Sequence, residues 1–519
     1  MSRSRASRVP TLFSGAAFLL FLLPGVAGSF GPFIDELYYV SCAHRLDWGY
    51  VDHPPFSIFL LRLFQILLGG QNLLALRLPA ALTGCAVVLG IGLLARRLGA
   101  GSCGQAVACG SALIAGVFQL LFGFYSMNAI EILIWLACSW TVVEAVQPGR
   151  ERWWILFGLL AGIGLLNKHT FVLFGAALAL GLFATPARRS LRRRWIWLGL
   201  AIASILIAPN LVWEARHGWP SLEFYRAADR LKNIPMPPPQ ALGLLVVIAN
   251  PGTIPVWVAG LAWMLRPRAP ADPAARARFD LRPLGVLCLA LIALAVLGHR
   301  SRPDRIAGIF PLLFAAGGVA LERARSRPRW RWLRWTVPAA MAAWGLFLLP
   351  LSEPVLPAPL LARYLGATRL VPQIEAGSGK EGALPQWFSD RLGWQTLVDV
   401  VARVRDRLPA GDQSEVMFFG VSYGQASALD WLGRSRGLRP VYCTHNNWFL
   451  WGPPREPLRV AIVVGESRER LAQLFNSVEL AGVDDCDLCT PWRRHMPIWV
   501  VRGFKGSITE AWPSLKHFE

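Results

Sequence analysis

The segment TFVLFGAALALGLFATPARRSLRRRWIWLGLAIASILIAPNLVW, residues 170–213, decides the fold class. Its two apolar runs, 170–185 and 195–213, carry no charged residue, and the five arginines of the segment all lie between them. The second run can cross about 30 Å of hydrocarbon as a helix, and the first run is only slightly short for this. Arginines between membrane helices mark the cytoplasmic side. The segment therefore predicts two membrane helices joined by a cytoplasmic loop.

The same pattern recurs along most of the chain. Of the 519 residues 54% are apolar and only 16% are charged, whereas a soluble protein has about 25% charged residues. This composition also excludes a disordered chain. We predict a mainly α polytopic membrane protein with about 11 transmembrane helices, near residues 11–30, 76–95, 104–122, 128–146, 153–167, 170–185, 195–213, 240–265, 283–298, 306–321 and 335–351.

The distribution of Lys and Arg predicts the orientation. One set of alternate connecting segments holds 23 basic residues and the other set holds 10, so the first set is expected in the cytoplasm. The net charge of +21 is explained in this way without a nucleic-acid partner. We expect a multi-pass protein of the cytoplasmic (inner) membrane with a cytoplasmic N-terminus. The first apolar run is expected to be a retained anchor, although a cleaved signal peptide is the alternative.

An odd number of spans leaves an extracytoplasmic tail. We therefore predict two domains, a transmembrane domain over residues 1–351 and a soluble α/β domain over residues 352–519. Within the tail, 415–420, 459–464 and 497–502 are predicted strands and 425–434 a predicted helix. Cys486 and Cys489 are expected to form a structural disulfide, with each other or with Cys443.

The first outer loop has the strongest candidates for chemistry. Asp35 and Glu36 follow the first span directly, and Asp52 stands beside His53. Charged residues at a membrane boundary are functional candidates. The alternative is that the two acids only cap an interfacial helix within an aromatic belt.

Further ionisable and aromatic residues are predicted on the same side of the membrane. These are Glu131, Lys168, His217, Trp219 and Arg302. Because they come from several loops yet share one face, helix caps alone do not explain them. The sequence thus predicts a polar site at the outer membrane boundary.

These residues stand in motifs that resemble the membrane glycosyltransferases of family 39 type, of the GT-C superfamily, which include bacterial aminoarabinose transferases and protein mannosyltransferases. The motifs are Asp35-Glu36-x-Tyr38-Tyr39, His53-Pro54-Pro55, Ser126-Met127-Asn128 with the following Glu131, 164–169 (GLLNKH) and 217–220 (HGWP). Two positions depart from the family pattern. The family usually has Asp where this chain has Glu131, and Lys followed by Tyr residues where this chain has 300–305 (RSRPDR).

The resemblance implies transfer of a sugar from a polyprenyl-phosphate donor to a lipid, glycan or protein hydroxyl outside the cytoplasmic membrane, with inversion. Asp35 is the expected general base and Glu36 the second choice. The donor phosphate would contact the cations of His53, Lys168 and Arg302, and the substrate would contact Asp52, Glu131, His217 and Trp219. A divalent metal held by Asp35 and Glu131 is conceivable.

Other functions compete with this interpretation. A transporter or flippase of a lipid-linked sugar would also have many spans and buried charges, but it commonly shows duplicated halves, which we do not find. A sensor that presents the tail would not need Asp35, His53 and Lys168 together. The tail segment 420–424 (GVSYG) fits the nucleophile elbow of hydrolases, although its spacing identifies no histidine partner.

Overall fold

The computed structural model describes residues 8–70, 72–231, 235–267, 280–298, 302–370 and 382–519. Up to residue 370 these residues form helices joined by short turns. The α-helices are Arg8–Ala27, Ile34–Ala43, Phe56–Leu67, Leu73–Arg97, Ser102–Ile114, Gly116–Phe122, Met127–Ala145, Trp153–Asn167, Val172–Phe183, Arg194–Arg216, Pro220–Leu231, Pro238–Ala249, Ile254–Leu265, Arg282–Leu297, Phe310–Arg325, Leu333–Ser352 and Ala358–Thr368.

These helices indicate a multi-pass membrane protein, but the expected count of eleven spans is not confirmed. In the described residues, six helices are long and apolar enough to cross a membrane, and the number rises to nine if each of three bent helix pairs is one span. The other two predicted spans are the helices Trp153–Asn167 and Arg282–Leu297, of 15 and 16 residues. Every predicted span is thus helical, but several are too short or too bent to count as a simple crossing.

The break within the predicted span 240–265 has a local cause. Helix Pro238–Ala249 and the segment Pro251–Leu265 meet at an angle of 88°. Between them Asn250 has a φ of 74°, and the next residue is Pro251, which has no N–H to continue a helix. The Asn250 side chain stabilises the bend by donating to Ile114 O at 3.0 Å and accepting from Gly252 N at 2.9 Å.

The tail contains one five-stranded sheet, which supports the predicted α/β class. Its strands are β1 (Met417–Gly420), β2 (Val441–Tyr442), β3 (Val460–Val464), β4 (Phe475–Asp485) and β5 (His495–Phe504), in the order β2-β1-β3-β5-β4. β1 is parallel to β2 and β3, while β5 is antiparallel to β3 and β4. The helices of this part are Gln386–Ser389, Trp394–Asp406, Ala410–Glu415, Tyr423–Trp431, Asn447–Leu450, Arg468–Leu474 and Ile508–Ala511.

The strands predicted from the sequence, 415–420, 459–464 and 497–502, correspond to β1, β3 and β5, and all three have a clear apolar pattern. All five residues of β3 are buried, as a central strand covered on both faces requires. β4 lies at the sheet edge, and most of its residues are exposed or half-buried. Its Asn, Gly and Asp residues are unfavourable in strands, which explains why the sequence did not indicate it.

The cysteines adopt one of the two pairings expected from sequence. Cys486 and Cys489 form a disulfide, and Cys443 is a buried free thiol. The disulfide lies beside Gly393, where an added Cβ would approach both sulfur atoms to about 3 Å. The disulfide therefore packs against the start of helix Trp394–Asp406.

The tail packs directly on the membrane part through two helices. We call Ile34–Ala43 the Asp35 helix and Tyr423–Trp431 the Tyr423 helix. A Cβ added at Gly424 would meet the Ile34 side chain at 2.5 Å, so the lack of a side chain at Gly424 permits this close approach. Ser41 Oγ donates to Asp430 Oδ2 at 3.1 Å in the same interface. The first outer segment and the tail therefore share one packed surface.

Candidate active site

Asp35 and Glu36 are neighbours in the first turn of the Asp35 helix but have different surroundings. Glu36 is fully buried and accepts hydrogen bonds from Phe33 N and Tyr125 N, both at 2.8 Å. Its Oε2 also lies 3.3 Å from Nη2 of the buried Arg77. Glu36 therefore caps the helix and compensates a buried cation, as a structural carboxylate does.

Asp35 is partly exposed and its carboxylate faces the tail. The Tyr423 hydroxyl donates to Asp35 Oδ1 at 2.9 Å. Burial and the nearby Asp35 carboxylate hold the pKa of Tyr423 well above its ordinary value, so the phenol stays protonated and continues to donate. Arg302 also interacts electrostatically with Asp35.

Asp52 and His53 lie beside this site in a cluster of tyrosines. Tyr38 donates to Asp52 Oδ1 at 3.0 Å, and burial, followed by the Asp52 charge, raises the pKa of Tyr38. The His53 ring is fully buried, with Nδ1 3.0 Å from Pro54 O. His53 Nε2 lies 3.9 Å from Asp52 Oδ1 and has no hydrogen-bond partner among the described residues.

Lys168 and Glu131 form an ion pair between two helix ends. Lys168 Nζ lies 2.8 Å from Glu131 Oε2 and donates to Asn128 Oδ1 at 2.7 Å. Thr170 donates to the other Glu131 oxygen at 3.4 Å. Lys168 follows helix Trp153–Asn167 directly, while Asn128 and Glu131 stand in the first turns of Met127–Ala145.

Arg302 supplies a second cation. Its guanidinium forms a two-point contact with Asp304 at 3.2 and 2.9 Å, and the Asp304 charge raises the pKa of Arg302 above its ordinary value. The Arg302 side chain is 56% accessible, although desolvation also acts on it. Asp304 in turn interacts with Lys168, so the two cations lie at one site.

The structure thus brings Asp35, Lys168, Glu131 and Arg302 into one electrostatically connected group, with Asp52 and His53 at its border. His217 and Trp219 lie at an exposed rim, where His217 stacks on Trp213 with ring centroids 4.3 Å apart. They precede helix Pro220–Leu231, whose Tyr225 interacts with Asp52 and Glu131. Arg300 lies outside the described residues.

Glu131 does not offer the environment that a divalent metal needs. Its carboxylate is already compensated by the Lys168 ammonium at 2.8 Å, and a dication at the same oxygen would repel that cation. The residues around Glu131 therefore fit an ammonium partner and not a metal shared with Asp35.

Sequence reasoning missed two contributors to the site. Asp304 and Tyr423 both stand in quoted motifs, but Asp304 was read only as part of a departure from the family pattern and Tyr423 only as part of a hydrolase elbow. In the structure the Gln425 side chain accepts a hydrogen bond from Ser422 N at 3.0 Å and also contacts the Ser422 hydroxyl. Ser422 therefore caps the Tyr423 helix, and the residue beside it contacts Asp35.

Part of the chain is similar in sequence to known glycosyltransferases. Residues 52–213, which include Asp52, His53, Glu131 and Lys168, match the family model described as dolichyl-phosphate-mannose-protein mannosyltransferase. Lipid A galacturonosyltransferase RgtD of Rhizobium johnstonii is 28% identical over 188 residues, which are 36% of this chain and 39% of RgtD. The sequence match therefore spans well under half the length of that relative.

The fold is shared over nearly the whole chain. The crystal structure of ArnT from Cupriavidus metallidurans in the apo state aligns with a TM-score of 0.62 and 16% identity, covering 94% of this chain and 97% of ArnT. The ArnT structure bound to undecaprenyl phosphate aligns with a TM-score of 0.61 over the same shares. Residues 52–213 are thus similar in sequence to a family of membrane mannosyltransferases, and the chain as a whole shares the fold of ArnT.

Proposed function

We propose that this protein transfers a sugar from a polyprenyl-phosphate donor to an acceptor hydroxyl at the outer face of the cytoplasmic membrane. The observation that carries the proposal is the partly exposed carboxylate of Asp35, which interacts electrostatically with Arg302. A base beside a cation suits a reaction in which a proton is removed at one end and a phosphate leaves at the other. ArnT, whose fold this chain shares, binds undecaprenyl phosphate, which supports the same donor class.

The reaction is proposed as a single displacement at the anomeric carbon. A bond forms between the acceptor oxygen and this carbon while the bond from the carbon to the phosphate oxygen breaks. The acceptor proton passes to the Asp35 carboxylate, and the polyprenyl phosphate leaves with the bonding electron pair. One displacement inverts the configuration, whereas a retaining reaction needs a carboxylate nucleophile and two steps.

The departing phosphate is assigned to Arg302 and Lys168. Both side chains have accessible surface, and fixed cations stabilise the negative charge that develops on the leaving group. Arg302 suits a phosphate because its guanidinium can donate two parallel hydrogen bonds. His53 was also expected to bind the phosphate, but its ring is fully buried, so we assign it to the support of Asp52.

The remaining polar residues are proposed to bind the sugar and the acceptor. Asp52 and Glu131 offer carboxylate oxygens to sugar hydroxyls, and the exposed rings of His217 and Trp219 could hold the apolar face of a sugar or lipid at the rim. Glu36 is assigned to the support of the helix that carries Asp35, because its oxygens already accept from the backbone at 2.8 Å.

The direct test is transfer by the purified protein. Radiolabelled polyprenyl-phosphate sugars, both pentoses and hexoses, are incubated with envelope lipids, glycans and proteins, and label is followed from donor to acceptor. Mass spectrometry of envelopes from cells with and without the protein identifies the acceptor. Movement of the lipid-linked sugar across a vesicle membrane without its consumption would instead indicate the flippase.

A further inference from the structure

The turn 420–424 is a feature that the proposed reaction does not use. β1 ends at Gly420 and the next helix begins at Tyr423, so the turn fixes where the Tyr423 side chain begins. Gly424 then lets this helix approach Ile34, which directly precedes Asp35. The geometry of the turn therefore brings Tyr423 to Asp35.

The Tyr423 side chain is held in one place by its neighbours. Its ring centroid lies 5.1 Å from that of Tyr38 and 4.9 Å from that of His445. Its hydroxyl donates to Asp35 Oδ1 at 2.9 Å. An Asp side chain has two rotatable bonds, and a hydrogen bond from a fixed donor restricts both of them.

We propose that Tyr423 is a positioning residue for the transfer reaction and that the tail thereby completes the catalytic site. By holding one carboxylate oxygen, the Tyr423 hydroxyl keeps Asp35 in the orientation in which it accepts the proton of the acceptor. The contact joins residues 388 positions apart in the chain. This inference rests on the proposed function, since it assigns a role through Asp35.

The magnitude of the effect follows from the chemistry of the contact. A hydrogen bond to a carboxylate is among the stronger ones in proteins, and misorientation of a reacting group costs about 10²-fold in rate in severe cases. Since Asp35 itself remains in a Tyr423→Phe variant, we expect a smaller loss, of about tenfold in kcat. Donor binding should be unchanged because Tyr423 is not assigned to the donor.

The experiment compares Tyr423→Phe with wild type in the full-length protein. Turnover is measured with a radiolabelled polyprenyl-phosphate sugar, and donor binding sites are titrated so that kcat refers to folded enzyme. The matched control is Tyr364→Phe, which removes a hydroxyl that donates to Phe347 O at 2.6 Å. The control should keep wild-type turnover.

The pH profile separates positioning from a general loss of structure. A hydrogen bond to a carboxylate favours its charged form, so in Tyr423→Phe the acid limb of the kcat profile should move to higher pH. Arg302, Asp390 and Tyr39 also interact with Asp35, and all three are unchanged in this variant. Wild-type kcat and an unshifted acid limb in Tyr423→Phe would overturn the positioning role.

A second variant tests the same role with Tyr423 intact. Gly424→Ala introduces a Cβ that would meet Ile34 at 2.5 Å, so it should displace Tyr423 and lower kcat, and Ile34→Ala should restore turnover in the double variant. If wild type transfers no sugar, the proposed function itself fails. If wild type transfers sugar and both Tyr423→Phe and Gly424→Ala do so at the wild-type rate, only the positioning role of Tyr423 is overturned.

Discussion

The guanidinium of Arg77 lies 3.3 Å from Glu36 Oε2, and both side chains are fully buried. The same Arg77 Nη2 donates to Gly31 O at 2.7 Å, and its Nη1 contacts Gly25 O. The pair therefore ties the end of helix Arg8–Ala27 and the following turn to the start of the Asp35 helix. As a result, the two adjacent acids have different surroundings, because Glu36 pairs with the buried Arg77 while Asp35 accepts from Tyr423 of the tail.

Glu36→Gln should therefore destabilise the protein. It removes the carboxylate that lies 3.3 Å from the buried Arg77 and leaves Glu353 as the remaining acid that interacts with it; breaking a buried ion pair costs about 3–5 kcal/mol. The thermal midpoint in detergent measures this. The control is Glu223→Gln, whose exposed pair with Lys516 at 2.8 Å is worth at most about 1 kcal/mol. An unchanged midpoint together with lost turnover would make Glu36 the general base instead.

Asp35→Asn should abolish transfer while the protein stays folded and binds its donor. Asn keeps the shape of the side chain and can still accept from Tyr423, but it cannot take the acceptor proton. Loss of a general base lowers the rate about 10²- to 10⁴-fold. Turnover and donor affinity are measured separately, with Asp399→Asn as a control in the tail. Near-normal turnover by Asp35→Asn would end its assignment as base.

Lys168→Met should weaken donor binding and also lower stability, because Glu131 then keeps a buried charge without its partner at 2.8 Å. The double variant Lys168→Met with Glu131→Gln removes both charges and should recover most of the stability. Donor affinity should stay low in the double variant, since a phosphate contact needs the cation. Recovered donor affinity in the double variant would show that Lys168 only neutralises Glu131.

The orientation of the tail is a separate prediction. The basic residues of alternate loops, 23 against 10, place residues 352–519 outside the cytoplasm. A reporter that is active only in the cytoplasm, fused after Glu519, should be silent, and the same reporter in the loop 188–194 should be active. The reverse result would put Asp35 and Arg302 on the cytoplasmic side.

Asp390 should make stability fall as pH rises. Burial raises the pKa of this carboxyl to about 6, above its ordinary value near 4. Between about pH 4 and pH 6 the folded state therefore keeps a proton that the unfolded state releases, and the free energy of unfolding decreases by up to about 3 kcal/mol. Asp390→Asn removes this pH dependence. The free energy of unfolding of the variant, measured relative to that of wild type, should therefore rise over that interval. A difference that does not change with pH would contradict the raised pKa.

Much of the candidate site could be proposed from the sequence because its members stand next to membrane spans. Asp35, Lys168 and Glu131 were found from their position at the ends of apolar segments, where charge is costly without a purpose. The resemblance ranked Asp35 ahead of Glu36 as the base, but the different surroundings of the two side chains could not be predicted, since adjacent acids in one helical turn look alike in sequence. Only the positions of Arg77 and Tyr423 distinguish them.

The sequence by itself determined the class of protein, the helical character of every predicted span and the central strands of the tail, because hydrophobic length and periodicity are local properties of the chain. The tertiary structure alone decided which spans bend, which acid is compensated and which tail residue contacts the site. These outcomes depend on contacts between residues far apart in the chain, such as the 2.9 Å hydrogen bond from Tyr423 to Asp35. Local pattern has no information on such pairs, because packing of the whole chain creates them.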